Sequence, residues 1–196
     1  MKLNETIAAN ICLLPDAETI EWAYRVSSQA ARIAGGSSLL QRGIAIPHVT
    51  LWMGLLPAFL LDEVEKSISR LFLPFSVEPG ELYFAVSDQL KRSVWSLGIE
   101  PNATLFHLHA NVMEVMREFE LQEDVVSGHF GEEASEISCR YVQNFTSQHS
   151  GRNYMPHITV GYADVLRAEV PGSMEMQAIG IFRMGNGCTC LQKSSS

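Results

Sequence analysis

Positive charge is scarce in this sequence: Lys and Arg together number 14 against 22 Asp and Glu, for a formal net charge of -8 with histidine neutral. Tracking along a nucleic acid needs many Lys and Arg on phosphates. That deficit argues against tracking along long nucleic acids, while a small phosphate ester or one RNA end stays open. Long apolar runs are missing too. No window approaches the ~20 apolar residues of a membrane span, and Met1-Lys2-Leu3-Asn4-Glu5-Thr6 has no apolar stretch behind its lysine, as a leader would. The sequence therefore predicts a cytoplasmic protein with no membrane partner. Cysteine is sparse: Cys12, Cys139, Cys188 and Cys190 do not make a disulfide frame in a chain without a secretion signal. Cys188-Thr189-Cys190 is shorter than a zinc knuckle and has no second pair, so it reads as a strand end, and no metal or cofactor is expected.

What is present is an ordinary globular composition, 46% hydrophobic and 18% charged over 196 residues, enough for a buried core in one domain. Ile7 to Leu14 reads as a buried strand, and Asp16 behind Pro15 caps a helix that Gly35-Gly36 ends. Ile44 to Leu55 reads as a strand, and a helix from about Pro57 carries Leu60, Leu61, Val64, Ile68 and Leu71 on one face. Pro79-Gly80 reads as a turn between Phe75-Ser76-Val77 and a strand at Leu82 to Val86, with another strand at Ser93 to Ile99. Leu105, Leu108, Val112, Val115 and Phe119 step by three and four along an amphipathic helix, on whose stripe His109 is a core histidine. His107, His129 and His149 read as solvated. A helix with Ala134, Ile137, Tyr141, Val142 and Phe145 leads to a strand at Met155 to Tyr162, and Asn186-Gly187 signals a closing hairpin. Each half thus holds a strand, a helix and a strand beginning Pro-His. The predicted fold is α+β, a bilobed internal duplication with two antiparallel sheets and flanking helices around a central cleft. It occupies residues 1–192 as a monomer, with a disordered tail over 193–196.

The chemistry rests on a repeat. Ile46-Pro47-His48-Val49-Thr50-Leu51 and Met155-Pro156-His157-Ile158-Thr159-Val160 share one pattern, apolar-Pro-His-apolar-Thr-apolar. With proline near 5% of residues, two such matches arise by chance in roughly one sequence in ten thousand. In a strand, His and Thr two positions apart project from one face, about 6.6 Å apart along the backbone. The hydroxyl can then donate to a phosphate oxygen while the ring nitrogen meets an entering or leaving oxygen. In-line displacement at phosphorus has two apical oxygens, so it benefits from two imidazoles, one taking a proton and one giving it.

Two His-x-Thr elements 109 positions apart, each preceded by proline, resemble the signature of the 2H (two-histidine) phosphoesterase superfamily. That superfamily includes the 2′-5′ RNA ligases and cyclic phosphodiesterases. The resemblance implies a bilobed fold, His48 and His157 as catalytic acid and base, Thr50 and Thr159 as phosphate-binding residues, and no metal. It further implies a 2′,3′-cyclic phosphate or a 2′-5′ phosphodiester on a nucleotide or RNA end as substrate, with hydrolysis or ligation left open. Many members carry Arg or Lys a few residues past the second Thr, where this chain has Gly161-Tyr162. Arg152 is a candidate for the missing charge. Trp52, on the His48 and Thr50 face if alternation holds, and Tyr154 and Tyr162 are candidates to stack on a base. Two alternatives stay open: a phosphoesterase for a small non-RNA cyclic phosphate, and a module that binds an RNA end or nucleotide without turnover.

Overall fold

Strand β1 (Thr6–Pro15) is buried almost end to end, as a strand covered on both faces and both edges must be. It runs between β3 (Val49–Pro57) and β8 (Met174–Arg183), and β4 (Phe75–Val77) extends the sheet to the order β3-β1-β8-β4, with every pair antiparallel. A second antiparallel sheet has the order β5-β6-β7, from Pro79–Ser87, Arg92–Ile99 and His157–Tyr162. The short β2 (Ala45–Ile46) and β9 (Cys190–Leu191) form a separate pair. These are features of a computed structural model that describes residues 5–35, 38–87 and 92–191. The tail predicted at Lys193–Ser196 lies outside the described residues.

The helices start and stop where their caps dictate. Asp16 accepts the Thr19 N–H at 2.8 Å to open α1 (Ala17–Ala34), and Gly35, at φ 64°, ends it in the left-handed conformation that glycine adopts without a Cβ clash. Helix α2 (Leu61–Ser69) buries Val64 and Ile68. Asn102 accepts from the Leu105 N–H at 3.0 Å to open α3 (Ala103–Met116), and Ser135 opens α4 (Glu136–Gln148) in the same way. The packing crosses the two halves. Helix α1 lies against β7, whereas α3 and α4 lie against β3. Each strand that carries a Pro-His-x-Thr element is thus backed by helix from the other half of the chain.

Both motif strands also carry the same irregularity. On β3, Trp52 pairs with Ile11 and Thr50 with Cys12, which leaves Leu51 as an extra residue. On β7, Gly161 pairs with Trp95 and Thr159 with Ser96, which leaves Val160 extra. A β-bulge therefore follows the threonine in each copy, so the duplication extends to backbone geometry.

Two segments differ from the sequence-based expectation. The strand predicted over Ile44 to Leu55 breaks at Pro47-His48, since proline has no N–H for the ladder. Pro79-Gly80 is no hairpin turn: β4 joins the first sheet and β5, which begins at Pro79, the second, so this segment is a crossover between sheets. The hairpin expected at Asn186-Gly187 is present in short form, with Cys190 bridged antiparallel to Met184 and the Gly185 N–H donating to the Thr189 carbonyl at 2.9 Å. Its turn is a short 3-10 segment, with Gly187 at φ 67° and Cys188 at φ 56°, and β9 goes on to pair with β2.

Trp52 is fully buried, its ring lying over Gly54, where an added Cβ would come within 2.4 Å of the ring. Gly54→Ala is therefore expected to cost about 1–3 kcal/mol through overpacking. Urea unfolding of the variant checks this, and an unchanged midpoint would show that the indole has room to move.

Candidate active site

The proline in each motif fixes the carbonyl in front of it, and the histidine behind it uses that carbonyl. His48 Nδ1 lies 2.8 Å from the Ile46 carbonyl oxygen, and His157 Nδ1 lies 2.8 Å from that of Met155. A carbonyl only accepts, so Nδ1 donates in both rings, and each neutral imidazole keeps its lone pair on Nε2. Two histidines from opposite halves of the chain thus hold the same tautomer by the same local bond. Both line one cavity of about 880 Å³, together with Thr50 and Thr159.

Burial is the main influence on both rings, and it disfavours charge. It pushes His48 down to about 4, aided by the nearby His157 and opposed by the Ile46 carbonyl. It lowers His157 as well, with the Met155 carbonyl opposing and His149 adding to the fall. At neutral pH the site therefore holds two neutral imidazoles.

The bulge after the first motif is clamped by two side chains. His109 donates from Nδ1 to the Leu51 carbonyl at 2.8 Å and accepts the Gly151 N–H on Nε2 at 3.1 Å. The Tyr154 hydroxyl donates to the Thr50 carbonyl at 2.8 Å, and its ring stacks on His109 with centroids 3.7 Å apart. His109 is the core histidine that its helical stripe predicts. With one ring nitrogen donating and the other accepting it must be neutral, and burial lowers it accordingly.

His48, His109 and His157 all sit below the ordinary 6.5, so the folded chain binds fewer protons than the unfolded chain as pH falls below that value. Stability is then complete above pH 6.5 and is lost progressively toward pH 4. His48 alone should account for a loss on the order of 1–3 kcal/mol. Urea midpoints measured from pH 7 to 4.5 test the sign, and a flat series would contradict burial of these rings in neutral form.

Asn10 is the residue that motif reading misses. It is wholly buried on β1, and its side-chain nitrogen lies 3.0 Å from Thr50 Oγ1 and 3.3 Å from His48 Nε2. Its donation to Thr50 leaves the threonine proton free to point into the cavity. The signal was present in the sequence: an amide inside the apolar run Ile7 to Leu14 needs a buried partner.

The secondary candidates divide. Tyr154 and Tyr162 line the cavity, and so do Tyr83, whose ring meets His157 edge-on at 6.4 Å, and His149, stacked on Tyr141 at 4.3 Å. His149 is therefore part of the wall instead of a solvated surface residue. Trp52 is not on the wall, because the bulge at Leu51 interrupts the alternation that would have placed it there. Arg152 sits exposed in the turn Gly151–Asn153, outside the wall. Cys188 lines the cavity, but burial first and Cys139 second push its thiol up to about 12, so it is no thiolate at neutral pH. Cys190 packs against Cys12, sulfur to sulfur at 3.7 Å. Among the described residues no group of three or more His, Cys, Asp or Glu is placed to hold a metal ion.

No family model matches this chain, and no curated protein matches it. Solved structures do. The apo crystal structure of Escherichia coli LigT superposes on it with a TM-score of 0.53, covering 96% of this chain and 95% of that one at 14% identity. The chain has the LigT fold. A second LigT crystal structure, complexed with phosphate, superposes at TM-score 0.48 with 16% identity, covering 96% of this chain and 94% of LigT. Among the described residues no helix is long and apolar enough to cross a membrane.

Proposed function

We propose that the protein is a metal-independent phosphodiesterase of the two-histidine type, which opens a 2′,3′-cyclic phosphate or a 2′-5′ phosphodiester of a nucleotide or RNA end. One observation supports this above the rest: two Pro-His-x-Thr elements, each with Nδ1 tied to its own backbone, face a single cavity. One histidine takes the proton of the entering water through Nε2 as the new P–O bond forms. The other gives its Nε2 proton to the sugar oxygen as the old P–O bond breaks. Thr50 and Thr159 donate their hydroxyl hydrogens to the non-bridging oxygens, where negative charge concentrates. With a sugar hydroxyl in place of water as the entering group, the same roles join it to the phosphorus of a cyclic phosphate as the ring P–O bond breaks, which accommodates ligation as well as hydrolysis.

The resting site is neutral, so the proton for the leaving oxygen has to be loaded. An anionic diester raises the basicity of a nearby imidazole, and binding therefore recruits the proton that the reaction spends. A turnover screen of purified protein in excess EDTA, against 2′,3′-cyclic nucleotides, 2′-5′ dinucleotides and cyclic sugar phosphates, tests the proposal. P–O cleavage in chelator is the expected result. No turnover of any ester would reject the reading, as would activity that appears only with added metal.

A further inference from the structure

Among the described residues, the wall of the cavity contains no Lys, Arg, Asp or Glu. Its polar side-chain atoms belong to imidazoles, hydroxyls, amides, phenols and the Cys188 thiol. Between them run apolar surfaces from Leu40, Met53, Val94, Ile137, Phe145 and Met155. We infer that the site selects a phosphodiester with a single negative charge, joined to an uncharged apolar or aromatic group, and turns away esters that carry a second phosphate. This deepens the phosphodiesterase reading by naming the substrate class, and it rests on that reading for the identity of the anion.

Charge counting carries the argument. The positive charge available in the described wall is what His48, His157 and their neighbour His149 acquire by protonation, and in acid–base work His48 and His157 share one proton between them. One proton balances one diester anion. Among the described residues a second phosphate in the same space would find no fixed cation, with His149 the one further group able to take a proton, and an unpaired charge away from water is strongly disfavoured. The protein's net charge of -8 adds repulsion for polyanions at longer range.

Size and surface supply the other half. About 880 Å³ falls within the range of pockets that enclose most of a drug-sized ligand. The organic group of the ester therefore has room beside the phosphate, inside the protein. The stacked Tyr141 and His149 rings and the side chain of Phe145 offer that group flat and apolar contact.

Three probes that lack the strained ring of a cyclic ester separate these effects: dimethyl phosphate, benzyl methyl phosphate, and benzyl methyl phosphate bearing a phosphooxymethyl group on its ring. Calorimetry in EDTA should show the second binding at least about tenfold more tightly than the first, from burial of its ring. It should also bind at least about tenfold more tightly than the third, from the uncompensated charge. Ile137→Arg, at a partly exposed wall position, should recover most of the loss for the doubly phosphorylated probe. Equal or tighter binding of that probe by the unaltered protein would overturn the inference, as would parity between dimethyl and benzyl methyl phosphate or no binding of any probe. Ester turnover without this preference would sink the inference and spare the phosphodiesterase reading. The preference without turnover of any ester would do the reverse.

Discussion

His48→Ala and His157→Ala should each lower turnover of the cleaved ester about 10²–10⁴-fold, the usual weight of a lost acid or base. Both rings are held by one short local bond to the carbonyl two residues back and neither belongs to the fully buried core, so the variants should fold. Circular dichroism and urea unfolding establish that before rates are compared. The pH profile carries a second, more specific expectation. Both imidazoles lie below 6.5 in the free protein, so its singly protonated form is populated on the acid side of that value. The kcat/KM optimum should therefore fall below pH 6.5, while the kcat optimum lies higher because the bound anion raises both groups. A histidine variant that retains near wild-type turnover would remove that residue from the chemistry. A kcat/KM optimum at pH 8 would contradict two neutral resting rings.

Thr50→Val and Thr159→Val should each cost about 10²–10³-fold in kcat, the loss measured when one preorganised donor to a developing oxyanion is deleted. Valine keeps the shape and the strand preference, so the missing hydroxyl is the variable. The two positions differ in stability. Thr50 accepts a hydrogen bond from buried Asn10, and its replacement leaves that amide only the longer contact to His48 Nε2 at 3.3 Å, at a cost of about 1–3 kcal/mol. Among the described residues no such buried amide reaches Thr159, and its variant should unfold near the wild-type midpoint. Unchanged kcat in both variants would make the threonines structural. Equal destabilisation by the two would show that Asn10 finds another partner.

What could be read in advance was the local information. The Pro-His-x-Thr repeat names its own residues, the Asp16 and Gly35 caps mark the ends of α1, and the stripe from Leu105 to Val112 marks α3, because each signal lies within a few positions along the chain. The errors came from pairing between distant segments. Alternation along β3 put Trp52 beside Thr50, but the extra residue at Leu51 becomes visible only when β1 is laid alongside. Pro79-Gly80 has the chemistry of a turn, yet β4 and β5 go to different sheets. His149 reads as a solvated loop residue, yet it caps α4 and its ring stacks on Tyr141 from about two turns back on the same helix. The exchange of helices between the halves leaves no mark in hydrophobic periodicity, which reports that a face is buried and not what buries it.

The pairing of β1 with β8 sets a timetable for the newborn chain. Asn10 lies opposite Phe182, so β1 waits through about 170 further residues of synthesis for this partner. At 5–20 residues per second that interval is roughly 10–30 s. Throughout it, the apolar run from Ile7 to Leu13 has β3 on one side and an open edge on the other. Such an edge invites pairing with a neighbouring chain. Slow translation or crowded polysomes should accordingly lower soluble yield more than the stability of the finished protein would suggest, and a circular permutant that places β8 directly before β1 should be relieved of that delay.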